Sequence, residues 1–266
     1  MNVAKPFFSI VTVCFRDKKR LVRTVESVRT QDFKDFEYII IDGASDDGTS
    51  DEVANAGSLI SKFVSEPDQG IYDAMNKGLK LAQGQYVLFL NAGDLLAEEK
   101  SLTRCHRALS SAGESLGILC PVSIKYPGFR GERIATVSSA ARRWKGLPTS
   151  HQGIIYRLDV LKSHPFDTSL KLAADFDQYL RVTNKHGTNF LIAAGLLASV
   201  EAGGVSDVHR TRSRAEYKLC IKRHLGMPDS AFAISYQMVM TAYDTAAAAC
   251  KFYLPANLIH SIRLKK

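Results

Sequence analysis

Apolar runs and polar turns alternate along the first third of the chain with two different periods. Phe7 to Cys14 (FFSIVTVC) is a β-rich apolar run, and Arg20 to Gln31 follows with Leu21, Val22, Val25 and Val28 at helical spacing, which predicts a strand and then a helix. Phe36 to Ile41 reads as a second strand ending in Asp42-Gly43. The turn cluster Ser45-Asp46-Asp47-Gly48-Thr49 leads into a short helix over Ser50 to Ala56, and a third strand, Lys62 to Ser65, closes at Glu66-Pro67. Ile71 to Ala82 places Ile71, Met75, Leu79 and Ala82 on one helical face. Tyr86 to Leu90 is an unbroken apolar and aromatic run, the pattern of a buried strand, and it stops at the small polar turn Asn91-Ala92-Gly93-Asp94. Strands alternating with helices predict a mostly parallel, right-handed, doubly wound α/β sheet.

Beyond Asp94 the periodicity loosens. A helix over about Glu99 to Ala112 and a strand over Gly117 to Ser123 keep the alternation. Lys125 to Lys145 is polar, Gly-punctuated and basic, and reads as a hairpin or a mobile loop. Pro148 to Tyr156 (PTSHQGIIY) restores a short strand after a polar turn, and Asp175 to His186 reads as a helix with Phe176, Tyr179, Leu180 and Thr183 turned inward. Gly203-Gly204-Val205-Ser206 breaks the chain, so residues 1–206 are expected to form the main domain and residues 207–266 a basic helical extension. Ala231 to Ala249 is apolar enough to raise a membrane span. Gln237, Asp244 and several Ser and Thr residues interrupt it, which favours an amphipathic helix lying on a bilayer or on the domain itself. The tail Arg263-Leu264-Lys265-Lys266 suits an anionic leaflet as well as solvent.

Composition narrows the class. Hydrophobic residues make up 45% of the 266, enough for a substantial core and against disorder. The five cysteines are scattered without a metal-binding spacing, which predicts neither zinc nor a disulfide framework and fits a reducing cytoplasm. No signal peptide is expected from Met1 to Pro6. A formal net charge of +8 points to an anionic partner: a phosphorylated substrate, an acidic membrane surface or nucleic acid. The absence of an RNP-type motif, a zinc finger or a recognition helix disfavours the last.

Two predicted strands end alike, Ile41-Asp42-Gly43 and Leu90-Asn91-Ala92-Gly93-Asp94, which brings two carboxylates to one rim of the sheet. In open α/β sheets ligands sit beyond the carboxyl ends of the strands. Asp94 is then placed either to hold a divalent cation or to cap a helix over Leu95 to Lys100. No GxGxxG follows the first strand, where Phe15-Arg16-Asp17-Lys18 stands, and no GxxxxGK[ST] occurs. A bound nucleotide must therefore be held by side chains and a metal.

Four stretches together resemble the inverting family-2 glycosyltransferases of the GT-A fold, and in particular bacterial exopolysaccharide and colanic-acid-type transferases. They are Ser9-Ile10-Val11-Thr12-Val13, Ile41 to Thr49 (IDGASDDGT), Glu66 to Gly78 (EPDQGIYDAMNKG) and Phe89 to Asp94 (FLNAGD). With Ser150-His151-Gln152 and Ala174-Asp175 the likeness spans roughly residues 7 to 206. It implies a nucleoside diphosphate-sugar bound over the first half of the sheet, with Asp42 contacting the base and Thr12, Phe15, Asp68, Asn76 and Asn91 also on the donor. The family's DXD acids fall on the NAGD turn, where Asp94 alone remains a carboxylate; it implies a Mn²⁺ or Mg²⁺ ion on Asp94, with Asn91 able to give an oxygen. The family's general base falls on Asp175, with Asp177 the competing choice about 200° of helical rotation away. His151, Gln152 and His209 are implied as contacts to acceptor or diphosphate. The implied reaction transfers the sugar with inversion to a lipid-linked saccharide in polysaccharide biosynthesis, in the cytoplasm or peripherally on the inner membrane. Two rivals stand beside it: a sugar nucleotidyltransferase, which needs a Gly-rich basic loop after the first strand, and a non-catalytic nucleotide-sugar-binding scaffold on the membrane.

Overall fold

A computed structural model describes residues 5–126, 131–204, 208–227 and 229–250, with side chains described as far as Tyr243. The expected opening is found: β1 (Phe8–Cys14), α1 (Lys18–Arg29), β2 (Phe36–Asp42), α2 (Thr49–Ala56), β3 (Lys62–Ser65), α3 (Ile71–Leu81) and β4 (Tyr86–Phe89). There follow β5 (Leu95–Leu96), α4 (Ser101–Ser111), β6 (Gly117–Leu119), β7 (Val122–Lys125), β8 (Glu132–Ala135), β9 (Ile154–Arg157), α5 (Leu158–Lys162), α6 (Ala174–His186), β10 (Leu191–Ile192) and β11 (Ala198–Glu201). Two more helices, α7 (Arg210–His224) and α8 (Asp229–Cys250), close the described chain.

The main sheet has seven strands in the order β10-β6-β9-β4-β1-β2-β3. All neighbours are parallel except β9, which runs antiparallel to β4 and to β6. Central strands are buried on both faces and alternate their side chains between two cores. Val11, Val13, Ile39 and Ile41 face α3, α6 and α7, whereas Phe8, Ile10, Tyr38 and Ile40 face α1, α2 and α4. Gly78 lets α3 lie flush on this sheet, since a Cβ there would come within 2.4 Å of Val11 Cγ1.

A second sheet, β5-β11-β7-β8, differs from the sequence expectation. The single strand expected over Gly117 to Ser123 is two strands in two sheets, because Pro121 has no N–H to continue a ladder and the chain turns there. β8 pairs antiparallel with β7, which makes the basic stretch partly a hairpin. Leu95 and Leu96 pair with β11 instead of opening a helix, so the capping role considered for Asp94 is overturned.

The helices of the expected basic extension contribute to the main core: Cys220, Ile221 and Leu225 of α7 and its exit are buried in the same cluster as Phe176 and Tyr179 of α6. Along α8, Ala233 and Gln237 are buried while Phe232, Met238 and Val239 are 66%, 59% and 67% exposed. Among the described residues no helix is long and apolar enough to cross a membrane. The break around residue 206 and the tail Arg263 to Lys266 lie outside the described residues.

Candidate active site

The carboxyl ends of β1, β2 and β4 form one rim, as parallel pairing requires. The loops after β1 and β2 are clamped together: Gly43 N donates to Cys14 O at 2.9 Å and Arg16 N to Ser45 Oγ at 2.7 Å. Arg16 (φ 49°) and Ala44 (φ 62°) are held in the left-handed region, a strain that such cross-bracing maintains. Phe15 is 59% exposed beside this clamp. It and Asp68 both crowd Gly43, where a Cβ would stand 3.0 Å from the Phe15 ring and 2.7 Å from Asp68 Oδ2.

Three residues expected on the donor have their polar atoms committed inside the fold. Asp42 is wholly buried; it accepts from Ser45 N at 2.8 Å, Ser45 Oγ at 2.5 Å and Ser65 Oγ at 2.6 Å, so it ties the rim loop to β3. Thr12 is wholly buried and donates to Leu90 O at 2.6 Å. Asn76 exchanges two hydrogen bonds with the Phe166 backbone, both 2.9 Å. Each of these side chains therefore has a partner inside the fold, 3 to 90 residues away in sequence.

Next to this rim opens a cavity of about 770 Å³, and the NAGD turn forms part of its wall. Ala92 N donates to Val13 O at 3.0 Å and Gly93 N to Thr24 Oγ1 at 2.8 Å, which fixes the turn between β1 and α1. Gly93 adopts φ 99°, open to glycine at no steric cost, and its bare Cα lets the Arg20 guanidinium approach; a Cβ would lie 2.6 Å from Arg20 Nε. Asp94 Oδ2 accepts from Asn91 N at 3.2 Å and from Gln152 Nε2 at 2.9 Å. Burial pushes the Asp94 carboxyl up, against the opposing pull of His151 and Gln152. Asn91 Oδ1 and Arg20 Nε are buried here without any hydrogen-bond partner. One cavity wall thus carries an unpaired buried acceptor and an unpaired buried cationic donor, an uncommon pairing in a folded protein.

Asp175 faces the same cavity from the first turn of α6. Its Oδ1 accepts from Phe176 N at 2.8 Å and from the Tyr72 hydroxyl at 3.3 Å, while Oδ2 lies 3.7 Å from His151 Nδ1. Burial raises its pKa, offset in part by His151, the Phe176 N–H and Tyr72. His151 in turn meets Asn91 Nδ2 through Nε2 at 3.1 Å, so a chain of contacts crosses the cavity from the NAGD turn to Asp175. Asp177 points the other way, as the helical rotation predicts. It is 2% exposed and binds Arg181 Nε and His224 Nε2, both at 2.7 Å, in the α6–α7 interface.

The role of α7 carries no local signal in the residues. Glu216 Oε2 accepts from three successive amides, Lys171 N (3.0 Å), Leu172 N (2.7 Å) and Ala173 N (3.1 Å), directly ahead of α6. Tyr217 stacks on Phe176 with centroids 4.5 Å apart and planes at 11°, and it lines the cavity with Ser213. His209 is exposed one turn earlier and does not line the cavity. Arg20 and Tyr72 were also missed, although Tyr72 lies inside the EPDQGIYDAMNKG stretch. Among the described residues no three His, Cys, Asp or Glu side chains converge on a metal position, and the four described cysteines are free and buried.

The chain belongs to glycosyl transferase family 2, whose model matches residues 9–161. It is similar to a PGL/p-HBAD biosynthesis glycosyltransferase of Mycobacterium bovis (strain BCG / Pasteur 1173P2), 30% identical over 184 residues, covering 67% of this chain and 70% of the relative. Two solved structures share the fold, which is GT-A-like. S. aureus TarS 1-349 in complex with UDP-GlcNAc aligns with a TM-score of 0.65 and 17% identity, over 87% of this chain and 71% of that one. The mannosyltransferase PcManGT from Pyrobaculum calidifontis, in complex with GDP-Man and Mn2+, aligns with a TM-score of 0.63 and 15% identity, over 97% and 79%. The protein is a glycosyltransferase.

Proposed function

We propose that this glycosyltransferase is metal-dependent and inverting, and that it moves a sugar from a nucleoside diphosphate donor to a hydroxyl of a lipid-linked saccharide. The observation that carries this reading is the opposition, across one cavity, of the Asn91–Asp94 turn and the Asp175 carboxylate. Similarity to proteins whose structures hold UDP-GlcNAc, GDP-Man and Mn2+ supports a nucleotide-sugar donor and a divalent ion here.

The residues fit a Mn²⁺ or Mg²⁺ ion. Asp94 gives a carboxylate and Asn91 Oδ1 is a buried oxygen in need of a partner. Such ions are bound by one or two protein oxygens plus substrate phosphates, so a third acidic ligand is not required. When bound, the ion would neutralise charge developing on the departing diphosphate. The Arg20 guanidinium, with its free Nε, adds positive charge at the same turn. Phe15 and Asp68 flank the base and ribose at the open rim, and Asp42 holds the loop that presents them. Asp175 Oδ2 takes the proton of the attacking hydroxyl, since Oδ1 is occupied by Phe176 N and Tyr72. Attack from that side, opposite the leaving diphosphate, inverts the anomeric carbon. Ser213 and Tyr217 would border the acceptor. The cationic surface of α7 and the exposed Phe232, Met238 and Val239 of α8 favour peripheral attachment to an anionic inner leaflet, where a lipid-linked acceptor lies.

A thermal-shift screen of UDP, GDP and their sugars, with and without manganese, tests the donor and the metal together. Hydrolysis of the best binder, with the released sugar's anomeric configuration read by NMR, tests the chemistry. Stabilisation by no nucleotide would leave a scaffold, and formation of a nucleotide sugar from nucleoside triphosphate would make the protein a nucleotidyltransferase.

A further inference from the structure

His151 occupies a short turn, His151–Gly153, just ahead of β9, and stands between the two halves of the site. Its Nε2 is 3.1 Å from Asn91 Nδ2 and its Nδ1 is 3.7 Å from Asp175 Oδ2. An amide nitrogen only donates, so Nε2 must accept from it and the ring proton must sit on Nδ1, directed at the Asp175 carboxylate. The opposite tautomer would aim a lone pair at that carboxylate. It would also call for the amide to turn over, because only Asn91 Oδ1 could then accept from Nε2–H. Asp175 therefore selects the His151 tautomer, and the tautomer selects the face of the Asn91 amide.

The consequence falls on Asn91 Oδ1, which is buried, unpartnered and on the same cavity wall as Asp94. A carboxylate at position 91 would offer an oxygen to a cation in either flip state. A carboxamide offers an oxygen in one state and two hydrogens in the other, so an Asn in this place needs an orienting partner. We infer that His151 is a positioning residue, which turns the Asn91 amide so that Oδ1 faces a divalent cation shared with Asp94. The inference rests on the metal-dependent reading above and assigns His151 neither to the acceptor nor to the diphosphate.

The test is Mn²⁺ binding to the full chain at fixed UDP, followed by the loss of the free Mn²⁺ EPR signal and without reference to turnover. His151→Ala is expected to weaken Mn²⁺ binding on the order of 10- to 100-fold, as removal of a ligand-orienting partner does. Asn91→Asp in the His151→Ala background should restore most of that loss, because a carboxylate needs no orientation. Should His151→Ala unfold the chain, His151→Phe keeps the ring, removes the acceptor and carries the same expectation. Unchanged Mn²⁺ affinity in these variants, or no rescue by Asn91→Asp, would overturn the role of His151 while leaving the metal reading intact. A wild-type chain that takes up no Mn²⁺ with any nucleoside diphosphate would overturn the metal reading itself and the inference with it.

Discussion

Replacing Asp175 with Asn separates proton acceptance from everything else that this side chain does. The Asn oxygen can still accept from Phe176 N and from the Tyr72 hydroxyl, now 2.8 and 3.3 Å from Oδ1, so the start of α6 keeps its hydrogen bonds. What disappears is the carboxylate oxygen beside His151. Loss of a positioned general base costs about 10² to 10⁴ in turnover, which is about 2.7 to 5.4 kcal/mol of barrier. Donor binding, measured by calorimetry, should be unchanged, because the proposed donor contacts lie on the rim at Phe15, Asp68 and the NAGD turn. Asp177→Asn is the control. That carboxylate joins Arg181 and His224 inside the α6–α7 interface, so its replacement should lower the melting temperature by several degrees with little change in turnover per folded molecule. The pH profile gives a second readout. Burial raises the pKa of Asp175, and a base works only when ionised, so activity is present above that pKa and is lost as pH falls through it. Tyr72→Phe removes a hydrogen bond that favours the carboxylate, and the acid limb should move to higher pH. Wild-type turnover in Asp175→Asn, or a larger turnover loss in Asp177→Asn, would refute the assignment of the base.

Asp94→Asn should abolish metal-dependent donor affinity with the fold retained, and a chelator should silence the wild type; turnover unaffected by chelator would count against the ion. Asp42→Ala should strand Ser45 N and the Ser65 hydroxyl, costing about 1 to 3 kcal/mol of stability and weakening nucleotide binding through the loosened rim loop, so an unaltered melt and affinity would contradict its bracing role. Glu216→Ala leaves three amides ahead of α6 without their acceptor and should reduce turnover more than donor affinity, a split that steady-state kinetics and calorimetry resolve. A chain ending before Asp229 should fail to float with anionic liposomes that retain the full chain; equal flotation would assign α8 to the domain surface.

What could be read in advance follows the range of the interactions. The first four strands and three helices announce themselves because their periodicity is local and their turns are punctuated by Gly, Asp and Pro. The second sheet does not, since β5 and β11 are only 2 and 4 residues long and pair across about 100 positions. Asp42 is recognisable as an acid at a strand end, with Ser45 a local partner three residues on, but the Ser65 hydroxyl that also occupies it becomes a neighbour only after folding. Asp175 was legible through family likeness and Asp177 through helical geometry. Glu216 was not legible at all: among Arg210, Arg212 and Arg214 it looks like the acid of an ordinary i,i+4 pair, which it also makes, at 3.8 Å, with Arg212.

The grip of Glu216 and Tyr217 on residues 171–176 bears on how such chains can be recombined. The recognisable family segment ends at residue 161, before Asp175, the amides that Glu216 caps and the cavity wall on α7. A chimera that keeps the donor half of this protein and borrows an acceptor half from a relative therefore has its natural junction near α5, where the family segment stops. A junction at the glycine pair Gly203-Gly204 would part the Asp175 carboxylate from the helix that braces its segment. Exchange of acceptor preference within this architecture should thus travel as one block running from α6 through α7.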